Sequence, residues 1–465
     1  MRKLTSAPSL RSSLLVLTVG VLAACGSPGD DGATDTDDDA SVGVGGGLGE
    51  PSSGGSGIGG TGVGGNGGGS GGLASGGGPA SGGDGSGGDA PSGGTSSGGG
   101  SSTGGTDTGG SNTGGTSSGG SNSTGGGSST GGSSSCNTAV RAPSAVGYGR
   151  LTTGGQGGNT ITVSTGTQLH AALCGRAADD TPLIIRVNGT LTPGNTTKQS
   201  GSCNTADGVI EIKDVANITI QGVGTAGVLD QVGLHIRNSS NIIVQNLTIK
   251  NVRKSNTSTP SNGGDAIGME TDVDRVWIDH NLIFGSTTQG EEHDGLIDFK
   301  AHVTNVTVSY NHLHTGGRGG LIGSNDDGDD GSTNITFHHN WYQNLTSRTH
   351  LIREADAHLY DNYYSDILDT GINSRNGATL LVENNYFTEA RNPLGTFFYT
   401  TNPGTWEVHD NYFSPSVVWE SAADELPAGP NVQTTGDTSV PYSYTLDPAA
   451  CVPAILATNV GVGKI

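Results

Sequence analysis

Two carboxylates and a lysine share one short stretch of this chain. Asp294 and Asp298 lie four residues apart in Asp294-Gly-Leu-Ile-Asp298-Phe-Lys300. In an extended segment, residues an even number apart face the same side, so both carboxylates face one way. Oxygen ligands without histidine or cysteine suit Ca²⁺. Four separated cations follow this stretch: Arg318, Arg348, Arg353 and Arg375. Together, the carboxylates and cations predict a metal-assisted site for an acidic polymer.

The charge balance limits the classes of partner. The 465 residues include 21 Lys and Arg against 43 Asp and Glu, a net charge of −22. Such an acidic chain argues against nucleic acid as a partner. An anionic substrate would need a cation between itself and the protein, and this is the place expected for Ca²⁺.

A repeat of strands sets the predicted fold. Each unit is an alternating strand, an asparagine and a second apolar strand, and successive asparagines are 35, 30, 29, 22, 23 and 26 residues apart. A minimum spacing near 22 residues, lengthened in places by insertions, is typical of a parallel β-helix with one coil per repeat. The asparagine is expected to adopt the left-handed conformation at a bend and to hydrogen-bond to its equivalents. The positions are Asn246, Asn281, Asn311, Asn340, Asn362, Asn385 and Asn411.

The predicted fold class is therefore all-β, a right-handed parallel β-helix. A β-sandwich is the competing all-β fold, but it expects hairpin turns every 8–12 residues. A short helix from Gln168 to Cys174, capped by Ser164 or Thr165, is expected to cover the N-terminal end of the solenoid.

The first 135 residues are predicted to lie outside this domain. In residues 1–25, basic residues precede an apolar run from Leu14 to Leu22, which is too short to span a bilayer. Leu22-Ala-Ala-Cys25 resembles a bacterial lipobox, which implies lipidation of Cys25; an ordinary signal peptide is the alternative. Residues 26–135 are almost wholly Gly, Ser, Thr and Asp, which predicts a disordered linker. Residues 136–465 form the predicted catalytic domain.

The other cysteines are even in number, as expected for disulfides in an exported protein. Cys136, Cys174, Cys203 and Cys451 allow three pairings, and the spacing does not choose between them. We favour Cys174–Cys203 with Cys136–Cys451, which would tie the ends of the domain together.

Residues 142–414 resemble the extracellular pectate lyases of polysaccharide lyase family one, most densely from Asp265 to Phe387. The matching motifs are Trp277-Ile-Asp-His280, the stretch from Asp294 to Lys300, Arg318-Gly-Gly-Leu, Arg348-Thr-His-Leu-Ile-Arg353, Arg375-Asn-Gly and Glu383-Asn-Asn385. The resemblance implies Ca²⁺-dependent β-eliminative cleavage of α-1,4-linked polygalacturonate, with 4,5-unsaturated oligogalacturonides as products.

The resemblance also implies a role for each matching residue. Asp265, Asp294 and Asp298 take the place of calcium ligands, and Arg348 that of the catalytic base. The remaining cations form the substrate-binding set: Lys300, Arg318, Arg353 and Arg375. Within this set, Arg353 matches the structural arginine of its motif. Arg318 stands where a lysine is usual, and the planar guanidinium of arginine is not equivalent to the compact ammonium group of lysine. His350 replaces a proline of the motif.

The residue types support the same chemistry. A cation between the carboxylates and a uronate would acidify the proton on the adjacent C5. Loss of that proton to a base and of the C4 glycosidic oxygen is β-elimination. A guanidinium has a pKa above about 12, so it becomes a base only in strongly cationic surroundings. We therefore expect an alkaline activity optimum.

Three other functions compete. A polygalacturonase-like hydrolase would use two carboxylates as acid and base and leave the cations without a role. A lyase for methyl-esterified pectin would need neither calcium carboxylates nor so many cations. A non-catalytic, tethered polysaccharide binder would not need Arg348. The protein is expected to be a monomer that is secreted or held at the outer surface only through a lipid at Cys25.

Several other motifs are expected to be structural. The histidines are expected to stack on neighbouring coils and not to bind a metal: His312, His314, His338 and His339. The segment 326–330 is expected to be a solvated turn and not a calcium loop. Trp277, Trp341 and Trp406 are expected to pack between coils.

Overall fold

The computed structural model describes residues 136–197, 209–253, 264–285, 293–326, 330–398 and 402–465. The predicted leader 1–25 with Cys25 and the predicted linker 26–135 lie outside these ranges and stay predictions. The described residues belong to one compact unit. Within these ranges, no helix combines the length and the apolar character that a membrane crossing requires.

Strands dominate the described part of the chain. The helical segments are a 3-10 turn at Tyr148–Leu151, α1 at Gly166–Cys174, 3-10 turns at Pro193–Asn195 and Ala449–Cys451, and α2 at Val452–Asn459. The strands are β1 Asn159–Val163, β2 Leu183–Leu191, β3 Val209–Lys213, β4 Ala216–Asp230, β5 Gly233–Arg237, β6 Ser240–Gln245, β7 Thr248–Lys250, β8 Ile267–Glu270, β9 Val273–Asp279, β10 Leu282–Phe284, β11 Ile297–Lys300, β12 Val303–Ser309, β13 His312–Arg318, β14 Leu321–Ile322, β15 Thr333–His338, β16 Trp341–Ser347, β17 Leu351–Arg353, β18 Asp356–Tyr360, β19 Tyr363–Ile367, β20 Ile372–Arg375, β21 Thr379–Glu383, β22 Tyr386–Ala390, β23 Leu394–Phe397, β24 Thr405–His409, β25 Tyr412–Phe413 and β26 Glu425–Pro427.

These strands form the faces of a parallel β-helix. The first face is a nine-stranded sheet in the order β3-β5-β8-β11-β14-β17-β20-β23-β26, in which only β26 is antiparallel to its neighbour. A seventeen-stranded sheet bends to give the other two faces. The second face runs through β6, β9, β12, β15, β18 and β21, and the third through β7, β10, β13, β16, β19 and β22. The predicted parallel β-helix is confirmed.

The core is the interior of the solenoid. Inward residues of all three faces form a single cluster of buried side chains, mostly Val, Ile and Leu. Aromatic rings of the third face stack on one another from coil to coil, with centroids 4.6–4.9 Å apart: Tyr342, Tyr364, Phe387 and Phe413. Stacking of identical positions fixes the register of successive coils.

The predicted asparagine ladder is present. The Nδ2 atom of each asparagine donates to Oδ1 of the next, at 3.0–3.1 Å, along Asn281, Asn311, Asn340, Asn362, Asn385 and Asn411. The same Nδ2 atoms also donate to backbone carbonyls of the preceding coil, as from Asn340 to Val308 at 2.9 Å. These bonds satisfy buried polar groups that the bend would otherwise leave unpaired.

The left-handed conformation predicted for the ladder asparagines is wrong by one residue. The preceding residue has the positive φ, 53° at His280, 51° at Tyr310 and 54° at His339. Asn246 is itself at φ 57°, and the residue after it, Leu247, donates its N–H to the first rung, Asn281 Oδ1. The 35-residue interval therefore joined two different positions of the bend.

A helix near each terminus of the domain packs against the solenoid. α1 begins two residues before the predicted start, and Thr165 Oγ1 accepts the N–H of Gln168 at 3.2 Å as the predicted cap. Leu169 and Leu173 of α1 join the core. At the other end of the chain, α2, which the sequence did not reveal, buries its apolar side against Trp341, Tyr363 and Tyr386.

The structure contains the predicted Cys136–Cys451 disulfide, which joins the segment before the solenoid to the start of α2. Cys174 is also disulfide-bonded. Cys203, its predicted partner, lies outside the described residues.

Candidate active site

The first face carries the predicted site on its outer side. On β11, Ile297 and Phe299 are fully buried in the core. Side chains alternate along a strand, so Asp298 and Lys300 lie on the outer side. Asp294 precedes the same strand, and Asp265 precedes β8, the neighbouring strand of the previous coil.

Asp265, Asp294 and Asp298 form one carboxylate cluster. They are 2%, 9% and 1% exposed. Asp265 Oδ1 accepts the N–H of Gly295 at 3.0 Å, and Asp298 Oδ1 accepts the N–H of Leu321 at 3.1 Å. Burial, followed by the charge of Asp298, raises the pKa of Asp265 well above its usual range. Burial also raises the pKa of Asp298, against the opposing charge of Lys300.

The carboxylate cluster fits a hard cation. Oδ2 of Asp298 is buried and accepts no hydrogen bond from a described residue. Packing several acidic groups together out of water is unfavourable unless positive charge is supplied. All the side-chain donors are oxygen atoms, the set that Ca²⁺ prefers.

Three predicted cations surround the carboxylate cluster. Lys300 Nζ lies 3.6 Å from Asp298 Oδ2. Arg318, at the end of β13, donates from Nη1 to Asp294 Oδ1 at 2.8 Å. Arg348 follows β16 at a φ of 57°, and its charge acts to lower the pKa of Asp298. The structure thus brings together six of the eight residues that the sequence predicted.

The other two, Arg353 and Arg375, lie side by side on the first face, two and three coils beyond β11. They are register partners on β17 and β20, and each is 3% exposed. Both form ion pairs with Asp326, Arg353 through Nε at 2.5 Å and Arg375 through Nη2. Their predicted contact with substrate therefore requires the ion pairs with Asp326 to break.

Asp326 is a residue beside the predicted site whose contacts the sequence did not indicate. Asp326 lies in an exposed bend, as the interpretation of its segment as a solvated turn expects, and residues 327–329 of that segment lie outside the described residues. The pairing of its carboxylate with two buried guanidinium groups was not expected. Asp326 lies 27 and 49 residues from its partners in the chain. No local pattern could have indicated that pairing.

His350 lies beneath the site, inside the solenoid. It is fully buried, stacks on Phe337 at 4.2 Å and makes a 3.1 Å hydrogen bond between Nε2 and Tyr342 Oη. Burial lowers the pKa of His350 to about 3, so the ring is neutral. A histidine can therefore occupy the motif's proline position as a core residue.

A second cluster of titratable groups lies against the terminal segments. His339, Asp361 and Asp447 are close enough to share a metal ion. Arg141 already supplies the positive charge, with Nη1 2.6 Å from Asp447 Oδ2 and 3.0 Å from His339 Nε2. The predicted stacking of histidines is confirmed, as for His312 on Trp341 with centroids 4.5 Å apart.

Comparisons with known proteins agree with this geometry. The sequence matches the family described as Pectate lyase over residues 96–465. A pectate trisaccharide-lyase of Bacillus licheniformis is 41% identical over 315 residues, covering 68% of this chain and 84% of the relative. The solved structure of a Bacillus pectate lyase in complex with trigalacturonate is 32% identical, with a TM-score of 0.59, and covers 69% of this chain and 99% of its own. Pectate lyase C of Erwinia chrysanthemi, solved with Ca²⁺, is 28% identical with a TM-score of 0.58, covering 70% and 97%.

Proposed function

We propose, since the chain belongs to the pectate lyase family, that it cleaves α-1,4-linked polygalacturonate by β-elimination. The observation that carries the proposal is the buried carboxylate cluster of Asp265, Asp294 and Asp298 with Lys300, Arg318 and Arg348 beside it. Carboxylates and cations side by side suit a polyanionic substrate whose own carboxylates must be held and partly neutralised.

We propose that Asp265, Asp294 and Asp298 bind Ca²⁺. When bound, the ion supplies the counter-charge of the three carboxylates and withdraws electron density from the substrate carboxylate, which acidifies the C5 proton. The fit rests on the oxygen-only donors and on the buried Oδ2 of Asp298, which accepts no hydrogen bond from a described residue.

The side chains of this protein perform the remaining steps. Lys300 and Arg318 hold the uronate carboxylate by charge-assisted hydrogen bonds. Arg348 first loses a proton to solvent and, in its neutral form, takes the proton from C5. The electron pair of that C–H bond forms the C4–C5 double bond, and the bond from C4 to the glycosidic oxygen breaks. The departing oxygen takes up one proton from solvent, so protons balance and no water is consumed.

The structure gives an argument against the hydrolase alternative. Hydrolysis needs two carboxyl groups about 5–9.5 Å apart, on either side of the scissile bond. Asp265, Asp294 and Asp298 are instead nearly buried together, beside Lys300 and Arg318. The cations would also have no role in hydrolysis.

We further propose that the protein is exported and acts as a monomer, either secreted or lipid-anchored. The basic residues and apolar run before Leu22-Ala-Ala-Cys25 support export and lipidation of Cys25. Mass spectrometry of the mature N-terminus would distinguish a lipid-modified Cys25 from an unmodified one.

The test of the function is ultraviolet absorbance of the unsaturated uronide during incubation of the protein with polygalacturonate, first with Ca²⁺ and then with chelator. A rise in absorbance that chelator abolishes is expected. Reducing ends that appear without absorbance would show hydrolysis and would contradict the roles of Arg348 and the carboxylate cluster.

A further inference from the structure

We propose that Arg237 and Lys213 extend the substrate site toward the N-terminal coils, as additional contacts for uronate carboxylates of a longer oligomer. This inference rests on the proposed function. It adds Arg237 on β5 and Lys213 on β3, which lie two and three coils away from Lys300.

The strand register places these residues in one line with the site. Lys213 pairs with Arg237, Arg237 with Glu270, and Glu270 with Lys300. Each is on the outer side of its strand, since the residues before them are core residues such as Ile212 and Ile236. Neighbouring strands are about 4.7–4.9 Å apart, close to the length of one sugar unit, so a polyuronate lying along the solenoid meets a new residue of this line at each coil.

Arg237 is held so that part of its guanidinium stays available. Its Nε lies 3.0 Å from Glu270 Oε1, which His235 Nε2 also approaches at 3.1 Å. Its side chain is 32% exposed, and its Nη atoms have no acceptor among the described residues. Because Glu270 holds Nε, the two Nη groups remain as a pair of donors that can form two parallel hydrogen bonds to a carboxylate.

The carboxylates nearby do not cancel this positive charge. Although burial acts to raise it, the pKa of Glu270 is lowered by the hydrogen bond from His235 and the charges of Arg237 and Lys300. One carboxylate thus faces both Arg237 and Lys300. Glu211, on β3, is only 3% exposed, and Lys213 makes no ion pair within the described part of the chain.

The opposite direction along the same face is less available to a polymer. There, Arg353 and Arg375 are nearly buried and both are paired with Asp326. Exposed positive charge on the outer side of the first face is therefore found toward β3. The structure favours a substrate that extends from Lys300 past Arg237 to Lys213.

The test compares oligogalacturonates of three and eight units. Arg237→Gln and Lys213→Gln are compared with Arg275→Gln, a matched control. Arg275 also has its Nε on an acidic neighbour, Asp274 at 2.8 Å, but lies on β9 of the second face. Affinities are measured by calorimetry in an Arg348→Lys background, so that the oligomers are not consumed, and kcat/KM is measured in the parent protein.

The expected result is that the preference for the eight-unit oligomer falls about threefold to tenfold in Arg237→Gln and less in Lys213→Gln. Arg275→Gln should keep the preference of the parent protein. An unchanged preference in Arg237→Gln, or an equal loss for both lengths, would overturn the proposal. If the parent protein neither binds nor cleaves these oligomers, the proposed function itself fails, and the two failures are thereby distinguished.

Discussion

Arg318 donates a 2.8 Å hydrogen bond from Nη1 to Oδ1 of Asp294. A cation predicted to hold the substrate is thus paired with a carboxylate predicted to hold Ca²⁺. The Asp294 side chain is 7% exposed and that of Arg318 40%. If Ca²⁺ binds to Asp294 as proposed, it competes with Arg318, and the displaced guanidinium would then be available to a uronate.

Replacing Arg318 should strengthen calcium binding and weaken catalysis. In Arg318→Gln the ion no longer competes with a guanidinium for Asp294, so we expect Ca²⁺ to bind about twofold to fivefold more tightly. Turnover of polygalacturonate should fall, because a carboxylate contact is lost. Titration calorimetry with Ca²⁺ measures the first effect, and Arg275→Gln is the control. Unchanged or weaker calcium binding would show that Arg318 does not compete with the ion.

Arg348→Lys should remove most of the catalytic rate without disturbing the fold. Loss of a positioned base costs about 10²–10⁴-fold in rate, and lysine cannot place its single nitrogen where the guanidinium lies. The readouts are kcat from the ultraviolet assay, calcium affinity and melting temperature. A variant that keeps most of its kcat would exclude Arg348 as the base.

Asp361 should make the protein less stable as pH rises. Burial raises the pKa of Asp361 from about 3.8 to about 8, and its Oδ1 is buried without a partner in the described structure. The folded state therefore binds a proton that the unfolded state has lost, and stability falls from about pH 4 to about pH 8. In Asp361→Asn, calorimetric melting temperatures should fall less over this range. Asp356→Asn, at an exposed position, should follow the parent protein, and an equally steep fall in Asp361→Asn would contradict the assignment.

The asparagine ladder should be strongest at its centre. Asn340 is fully buried and bonds to Asn311, Asn362 and Val308, so Asn340→Ala leaves several buried groups unpaired. We expect a loss of about 2–4 kcal/mol in the free energy of unfolding. Asn411→Ala, at the half-buried last rung, should lower the free energy of unfolding by only about 1 kcal/mol. Urea denaturation measures both, and equal losses would mean that burial along the ladder does not set its contribution.

The fold could be predicted from the sequence because its period is local. Each coil repeats an alternating strand and an asparagine, so the spacing from Asn246 to Asn411 indicated a solenoid. The bend conformation was assigned one residue too late because the sequence does not say which residue of the His280-Asn281 pair carries the positive φ. α2 was missed because its apolar face is matched by Trp341, Tyr363 and Tyr386, which are distant in the chain.

The site could be predicted only as a set of residue types. Spacing indicated that Asp294 and Asp298 share a side, and the resemblance added Asp265 and the order of the cations. It could not show that Arg318 pairs with Asp294, or that Asp326 covers Arg353 and Arg375. These contacts depend on the lengths of the segments between strands, which set how coils stack and leave no periodic signal.

Asp326 therefore gives the sharpest test of whether Arg353 and Arg375 contact substrate. Asp326→Asn leaves two nearly buried guanidinium groups without their carboxylate. We expect the free energy of unfolding to fall by about 1–3 kcal/mol, less than for a fully buried pair, because the Asp326 side chain is 37% exposed.

A uronate carboxylate that can reach these arginines would replace the missing charge. Trigalacturonate should then raise the melting temperature of Asp326→Asn more than that of the parent protein, because it binds the folded state alone. Neutral galactose oligomers, which lack the carboxylate, serve as the control ligand. An equal shift in both proteins would show that Arg353 and Arg375 are structural, and that the substrate is held by Lys300, Arg318 and the residues toward the N-terminal coils.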